Sequence, residues 1–226
     1  MKLLAIDCSA SLCAACVFDA EADREIGRSV LDLGKGHAEH LMAVVGEALK
    51  DAALGFSDLD AIAVSVGPGS FTGVRVAVSA ARGFALALKI PAVGVTTLEA
   101  LAAEARDQFG ARNVLSALDG GREEIQAAVY DEFGAVLYAP AVITLSQAAD
   151  MAKRFSAGLA GTAAKTVAAM LSPTPNTGPL AATADIAVYA RLAARTAFSG
   201  EKPRPLYLRE PDAKPQAGFV LPRIGR

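Results

Sequence analysis

The chain has 226 residues, 22 basic against 24 acidic side chains and a formal net charge of −2. That length suits one large or two small domains with a real core, and the charge balance gives no general footprint for nucleic acid. Apolar residues make up 53% of the chain, above the usual share. Yet no uncharged apolar stretch reaches membrane-spanning length, and Asp7 cuts short any signal-peptide core. Cys8, Cys13 and Cys16 are an odd, N-terminally clustered set. They are no disulfide framework and suit a reducing cytoplasm. Cys13 and Cys16 lie three apart in a strand-like segment, so they point to opposite faces and cannot share an ion.

Residues 3–7, 12–19 and 24–32 read as three strands of an antiparallel meander. Residues 37–50 carry Leu41, Val44, Val45, Ala48 and Leu49 at the spacing of an amphipathic helix. A strand at 61–66 leads through a glycine-rich loop to a helix at 74–88, then a strand at 92–95 and a helix at 97–109 with Thr96 or Thr97 as its cap. The pattern then restarts. Strands are predicted at 114–119, 124–130 and 135–143. Asp119 lies 112 positions after Asp7, an offset that also pairs Ile6 with Leu118, Val17 with Val129 and Phe18 with Tyr130. This reads as a duplication. The remainder is less regular: helices at 146–155 and 163–171, a short strand and turn at 158–161, a Pro-rich loop at 172–179, and a helix at 183–198 capped by Thr183. Prolines recur from Pro203 onward, which predicts an extended end.

The loop Gly67-Pro68-Gly69-Ser70-Phe71-Thr72-Gly73-Val74-Arg75 is the most informative stretch. Glycine is needed where φ is positive or where another group comes close. A strand-to-helix loop can hold an anion at the helix start, or act as a rigid corner that aims the helix. The corner is favoured: there is no Gly-Lys-Ser/Thr ending to reach a phosphate, and Ser70 is not at the centre of a G-x-S-x-G elbow.

Two copies of a meander followed by helices, each opening on a strand that ends in Asp, resemble the actin-like (ASKHA) architecture: two α/β half-domains, the second abridged. The expected division is residues 1–105, 106–210 and an extended tail at 211–226. More specifically, Leu4-Ala5-Ile6-Asp7-Cys8-Ser9, His37-Ala38-Glu39-His40-Leu41, the Gly67–Arg75 loop, the Asp119–Tyr130 hairpin and Leu206-Tyr207-Leu208-Arg209 together resemble the TsaB (YeaZ) family. The pattern is not followed at Cys8, where Thr is usual, at Ala38 and Ala43, or at Gly120-Gly121, where Ala-Arg is common. The resemblance implies a cytoplasmic, non-catalytic subunit that pairs with a TsaD-type transferase in threonylcarbamoyl modification of tRNA adenosine. A TsaE-type ATPase joins the pair. ATP and metal are expected on the partner, tRNA contact is indirect, and the isolated chain can self-associate. Asp7, Asp119 and Gly120 remain the candidates for a nucleotide contact. His37 and His40 lack the further ligands that Zn or Fe needs, and both read as surface residues.

The helix at 74–88 carries the partner argument. It reads as apolar nearly all round, and such a helix must be buried all round. With the helix at 37–50 beside it, the expected partner interface comprises His37, Leu41, Met42 and Val45 on one helix. Thr72 and Gly73 of the loop and Arg75, Val78, Arg82 and Leu86 of the helix at 74–88 make up the rest. The competing expectation is a free-standing actin-like ATPase or small-molecule kinase, which needs catalytic and metal-positioning acids together in the cleft.

Overall fold

The computed structural model describes residues 1–110, 112–196, 198 and 200–209. The tail expected at 211–226, with Lys214, Arg223 and Arg226, lies outside them. Strands β1 (Lys2–Asp7), β2 (Leu12–Asp19) and β3 (Arg24–Asp32) form the expected meander. β1 also pairs in parallel with β4 (Ala61–Ser65), and β4 with β5 (Ala92–Val95), so the first sheet runs β3-β2-β1-β4-β5. In the second sheet β6 (Val114–Asp119), β7 (Glu124–Tyr130) and β8 (Val136–Thr144) repeat the meander. β9 (Gly158–Ala160) runs parallel to β6, giving the order β8-β7-β6-β9.

The offset of 112 carries Lys2–Asp7 onto Val114–Asp119 and Arg24–Asp32 onto Val136–Thr144. Duplication therefore extends through the third strand. The second copy shortens the fourth strand to three residues and, among the described residues, reduces the fifth to a single parallel bridge of Thr177 to Leu159, so it is the abridged half of an actin-like fold.

Both faces of each sheet are covered, which is why β1 and β6 are buried almost throughout instead of alternating. Leu4, Ile6 and Val17 point outward beneath α1 (His37–Asp51) and α2 (Phe71–Leu88). Leu3, Ala5 and Phe18 point inward into a core shared with Val114, Leu118 and Tyr130 of the second sheet. On the outer face of that second sheet, Leu115 and Val129 pack under α4 (Leu145–Arg154) and α5 (Ala164–Ala168).

The inner helices cross over. α3 (Thr97–Phe109) packs on β6, β7 and β9, whereas α6 (Ile186–Arg195) returns to β1, β2, β4 and β5. The division expected after residue 105 falls within α3, which covers the second sheet, while α6, far beyond that point, covers the first.

Two local expectations change. The cap of α6 is Asp185, which accepts the Ala187 N–H at 2.9 Å and grips Arg28 of β3 through two 2.7 Å contacts. Burial pushes the Asp185 carboxyl up, but the hydrogen bonds from Arg28 and Ala187 outweigh it and hold it below the usual range. Thr183 lies before the helix with its hydroxyl turned inward. The second change concerns α2, 18 residues with mean hydropathy 1.3, long and apolar enough by composition to cross a membrane. Here its inner face, Gly73, Val74, Ala77, Val78 and Ala81, packs with the outer core of the first sheet.

Candidate functional site

The Gly67 loop is a corner built on close approach. A Cβ on Gly69 would lie 2.2 Å from Ser9 O, and one on Gly73 would lie 1.9 Å from Cys8 O. Only glycine leaves room for these backbones. Ser70 N–H donates to Ser9 O at 2.6 Å, and Ser70 Oγ accepts the Gly73 N–H as the cap of α2. Thr97 N–H closes the other side on Gly67 O at 2.8 Å. The loop thus clamps the β1–β2 hairpin to the start of α2.

Asp7, at the end of β1, is 1% exposed. Its Oδ1 accepts the Ser9 N–H at 2.8 Å and its Oδ2 accepts the Thr183 hydroxyl at 2.7 Å. Since the one Thr183 proton goes to Asp7, the Tyr189 O–H at 2.7 Å donates to Thr183 Oγ, and Ser9 Oγ donates to it at 3.3 Å. Burial drives the Tyr189 phenol well above its ordinary range. Both oxygens of Asp7 thus accept from within the chain, and this candidate nucleotide contact is buried and does not line the cleft between the halves. Its duplicate differs: Asp119 is exposed, with Oδ1 accepting the Gly121 N–H at 2.8 Å.

Asp119 and Gly120 line a cleft of about 970 Å³ between the halves, opposite Ser9 and the Gly67 corner. Gly120 is confined on its own side, since a Cβ there would meet Glu124 O at 3.0 Å. The extended segment after α6 edges the same cleft. Arg75 stacks on the Phe71 ring, 3.7 Å from its centroid, and donates from Nε to the Tyr207 hydroxyl at 2.6 Å. Arg209 pairs with Glu124 and donates to Gly121 O at 3.1 Å.

The residues expected to meet a partner divide sharply. His37, Leu41, Val45, Gly73 and Val78 are buried within the chain's own core, so they cannot touch another protein directly. Helix α2 is not buried all round: Thr72, Arg75, Ser79, Arg82 and Leu86 face outward, and Leu86 is 79% exposed. On α1, Met42 is 57% exposed. Arg75 is tied to Phe71 and Tyr207, which leaves Met42, Thr72, Arg82 and Leu86 as the outward set.

The two histidines also separate. His37 is buried with Nε2 unpartnered, contrary to the surface reading, while His40 is exposed. Among the described residues no group of three or more His, Cys, Asp or Glu is arranged to hold a metal. Cys13 and Cys16 face opposite cores as expected. The contact within the cysteine set is instead Cys8 with Cys13, sulfurs 3.8 Å apart across the β1–β2 hairpin. Sequence reasoning missed Thr183 and Tyr189 because the helix-start signal explained Thr183 without them.

A family model described as "TsaD: tRNA N6-adenosine threonylcarbamoyltransferase" matches residues 32–203. The Escherichia coli (strain K12) "tRNA threonylcarbamoyladenosine biosynthesis protein TsaB" is 33% identical over 136 residues, 59% of this chain and 58% of that protein. The chain belongs to the TsaD family, on its TsaB (YeaZ) branch. The Haemophilus influenzae TsaB is 31% identical over 55% of this chain and 52% of its own length. The match thus spans little more than half of these named relatives. A Mycobacterium tuberculosis (strain H37Rv) protein described as uncharacterized is 35% identical over 85% of this chain and 84% of its own. The solved structure "YeaZ from Pseudomonas aeruginosa" superposes with a TM-score of 0.75 at 28% identity, covering 92% of this chain and 99% of that one.

Proposed function

We propose that this chain is a non-catalytic subunit that docks on a TsaD-type transferase and supports threonylcarbamoyl modification of tRNA adenosine in the cytoplasm. The observation that carries the reading is the outward face of α1 and α2. It combines the large exposed apolar side chains Met42 and Leu86 with the exposed Arg82, a composition typical of interface cores and their anchors. ATP, metal and tRNA are then handled by the partner, and a TsaE-type ATPase joins the pair. In isolation the same face would pair with a second copy.

The kinase or ATPase reading is disfavoured because Asp7 is buried and does not line the cleft, leaving Asp119 as the one carboxylate on the cleft wall among the described residues. Sedimentation of the chain with the TsaD-type subunit of the same organism tests the proposal. Leu86→Glu should weaken the complex by at least about tenfold while leaving the melting temperature unchanged. An intact complex in Leu86→Glu, Met42→Glu and Arg82→Glu alike would refute it, as would robust ATP turnover by the isolated chain.

A further inference from the structure

The segment after α6 crosses from one half to the other and is fastened at both ends. On the first half, Leu206 N–H donates to Val66 O at 2.8 Å. Pro203 is buried close to Gly94, where a Cβ would come within 3.3 Å of it. The Tyr207 ring lies 5.5 Å from that of Phe71, and its hydroxyl takes the Arg75 Nε–H. On the second half, Arg209 holds Glu124 and the Gly121 carbonyl. Gly121 (φ 71°) opens the left-handed run of the β6–β7 turn, followed by Arg122 (φ 54°) and Glu123 (φ 63°). Only Leu208 separates the two fastenings. Elsewhere the halves meet deeper in the molecule, through the core around α3 and α6 and polar contacts such as Ser116 Oγ to Leu98 O at 2.7 Å and Thr96 with Tyr130 at 3.3 Å, whereas this segment ties rim to rim.

We infer that Pro203–Arg209 is a latch that sets how far the cleft between the halves opens. Its strength lies in a surface stack and a half-exposed ion pair. Phe71 and Tyr207 are 48% and 47% exposed, so water can compete for the stack without disturbing the core. Releasing either end frees the β6–β7 turn from the Gly67 corner. The inference concerns the chain alone and does not require the proposed partner.

Hydrogen exchange on the full chain tests it, read at the end opposite the substitution. Tyr207→Phe and Tyr207→Ala loosen the first-half fastening. They should speed exchange of the Gly120 and Gly121 amides by about tenfold, the scale of one hydrogen bond to a charged group. Glu124→Gln loosens the second-half fastening and should speed exchange of the Leu206 amide to a similar degree. Amides of α3 and α6 should hold their protection, which shows that the fold is intact. If each substitution acts only at its own end, or at neither, the two fastenings are independent contacts and the latch is refuted.

Discussion

Replacing Thr183 with Val isolates what the buried polar knot contributes. The two side chains have nearly the same shape, so the change removes a hydroxyl and little else. Thr183, Asp7 and Tyr189 are 6%, 1% and 0% exposed, so water cannot stand in for the lost group. The substitution leaves Asp7 Oδ2 without its donor and removes the Thr183 partner of Tyr189, bonds of 2.7 Å each, although Ser65 and Thr97 still offer Tyr189 hydroxyls. An unsatisfied buried polar group costs about 1–3 kcal/mol, and more when it is charged, so the expected loss is about 2–5 kcal/mol. Thr183→Ser keeps the hydroxyl and loses one methyl, and should cost about 1 kcal/mol. Urea unfolding of the three proteins, with the m-value checked for constancy, gives the comparison. A double-mutant cycle with Asp7→Ala should show a coupling of about 1 kcal/mol or more. If Val is no worse than Ser, or the cycle is additive, the knot does not contribute the stability expected of it.

Gly73→Ala should destabilise by about 3 kcal/mol or more, because its Cβ would overlap Cys8 O at 1.9 Å. Gly83→Ala, with nothing within 4 Å, should instead stabilise α2 by about 0.5–1 kcal/mol; thermal melts of the pair give opposite signs. Burial raises the Glu99 carboxyl above its ordinary value, against the opposing pull of the Thr96 amide and Arg106. A carboxyl raised in this way supports the fold while protonated, and that support is lost as pH climbs through its folded value. Glu99→Gln should therefore melt higher than the parent at pH 7, with the gain disappearing at about pH 4; an equal shift at both pH values would contradict this.

Local features were legible where a local rule decides them. The strands of both meanders follow from short apolar runs, and the Asp7–Asp119 repeat extends through β8, one strand beyond the residue matches that the sequence displays. The Gly67 corner is written in its glycines, because their role is steric and lies within the motif. What escaped depends on partners far along the chain. Nothing near Thr183 says that its hydroxyl meets Asp7, 176 positions away, and Asp185 two residues on is an equally good cap. His37 reads as a helix-start residue, yet it turns inward. For α2, the apolar count hid the fact that Arg75, Ser79 and Arg82 share one stripe with Leu86. Composition sums over the circumference, while exposure depends on direction.

The exchange of inner helices has a consequence during synthesis. Leu3, Ala5 and Phe18 are made long before the helix that covers them, Ile186–Arg195. Until the ribosome has passed that point, the opening sheet carries a bare greasy side. The nascent chain therefore exposes aggregation-prone apolar surface until that helix is made. A frameshift or early stop anywhere before Ile186 would leave not a smaller working lobe but a fragment prone to clump.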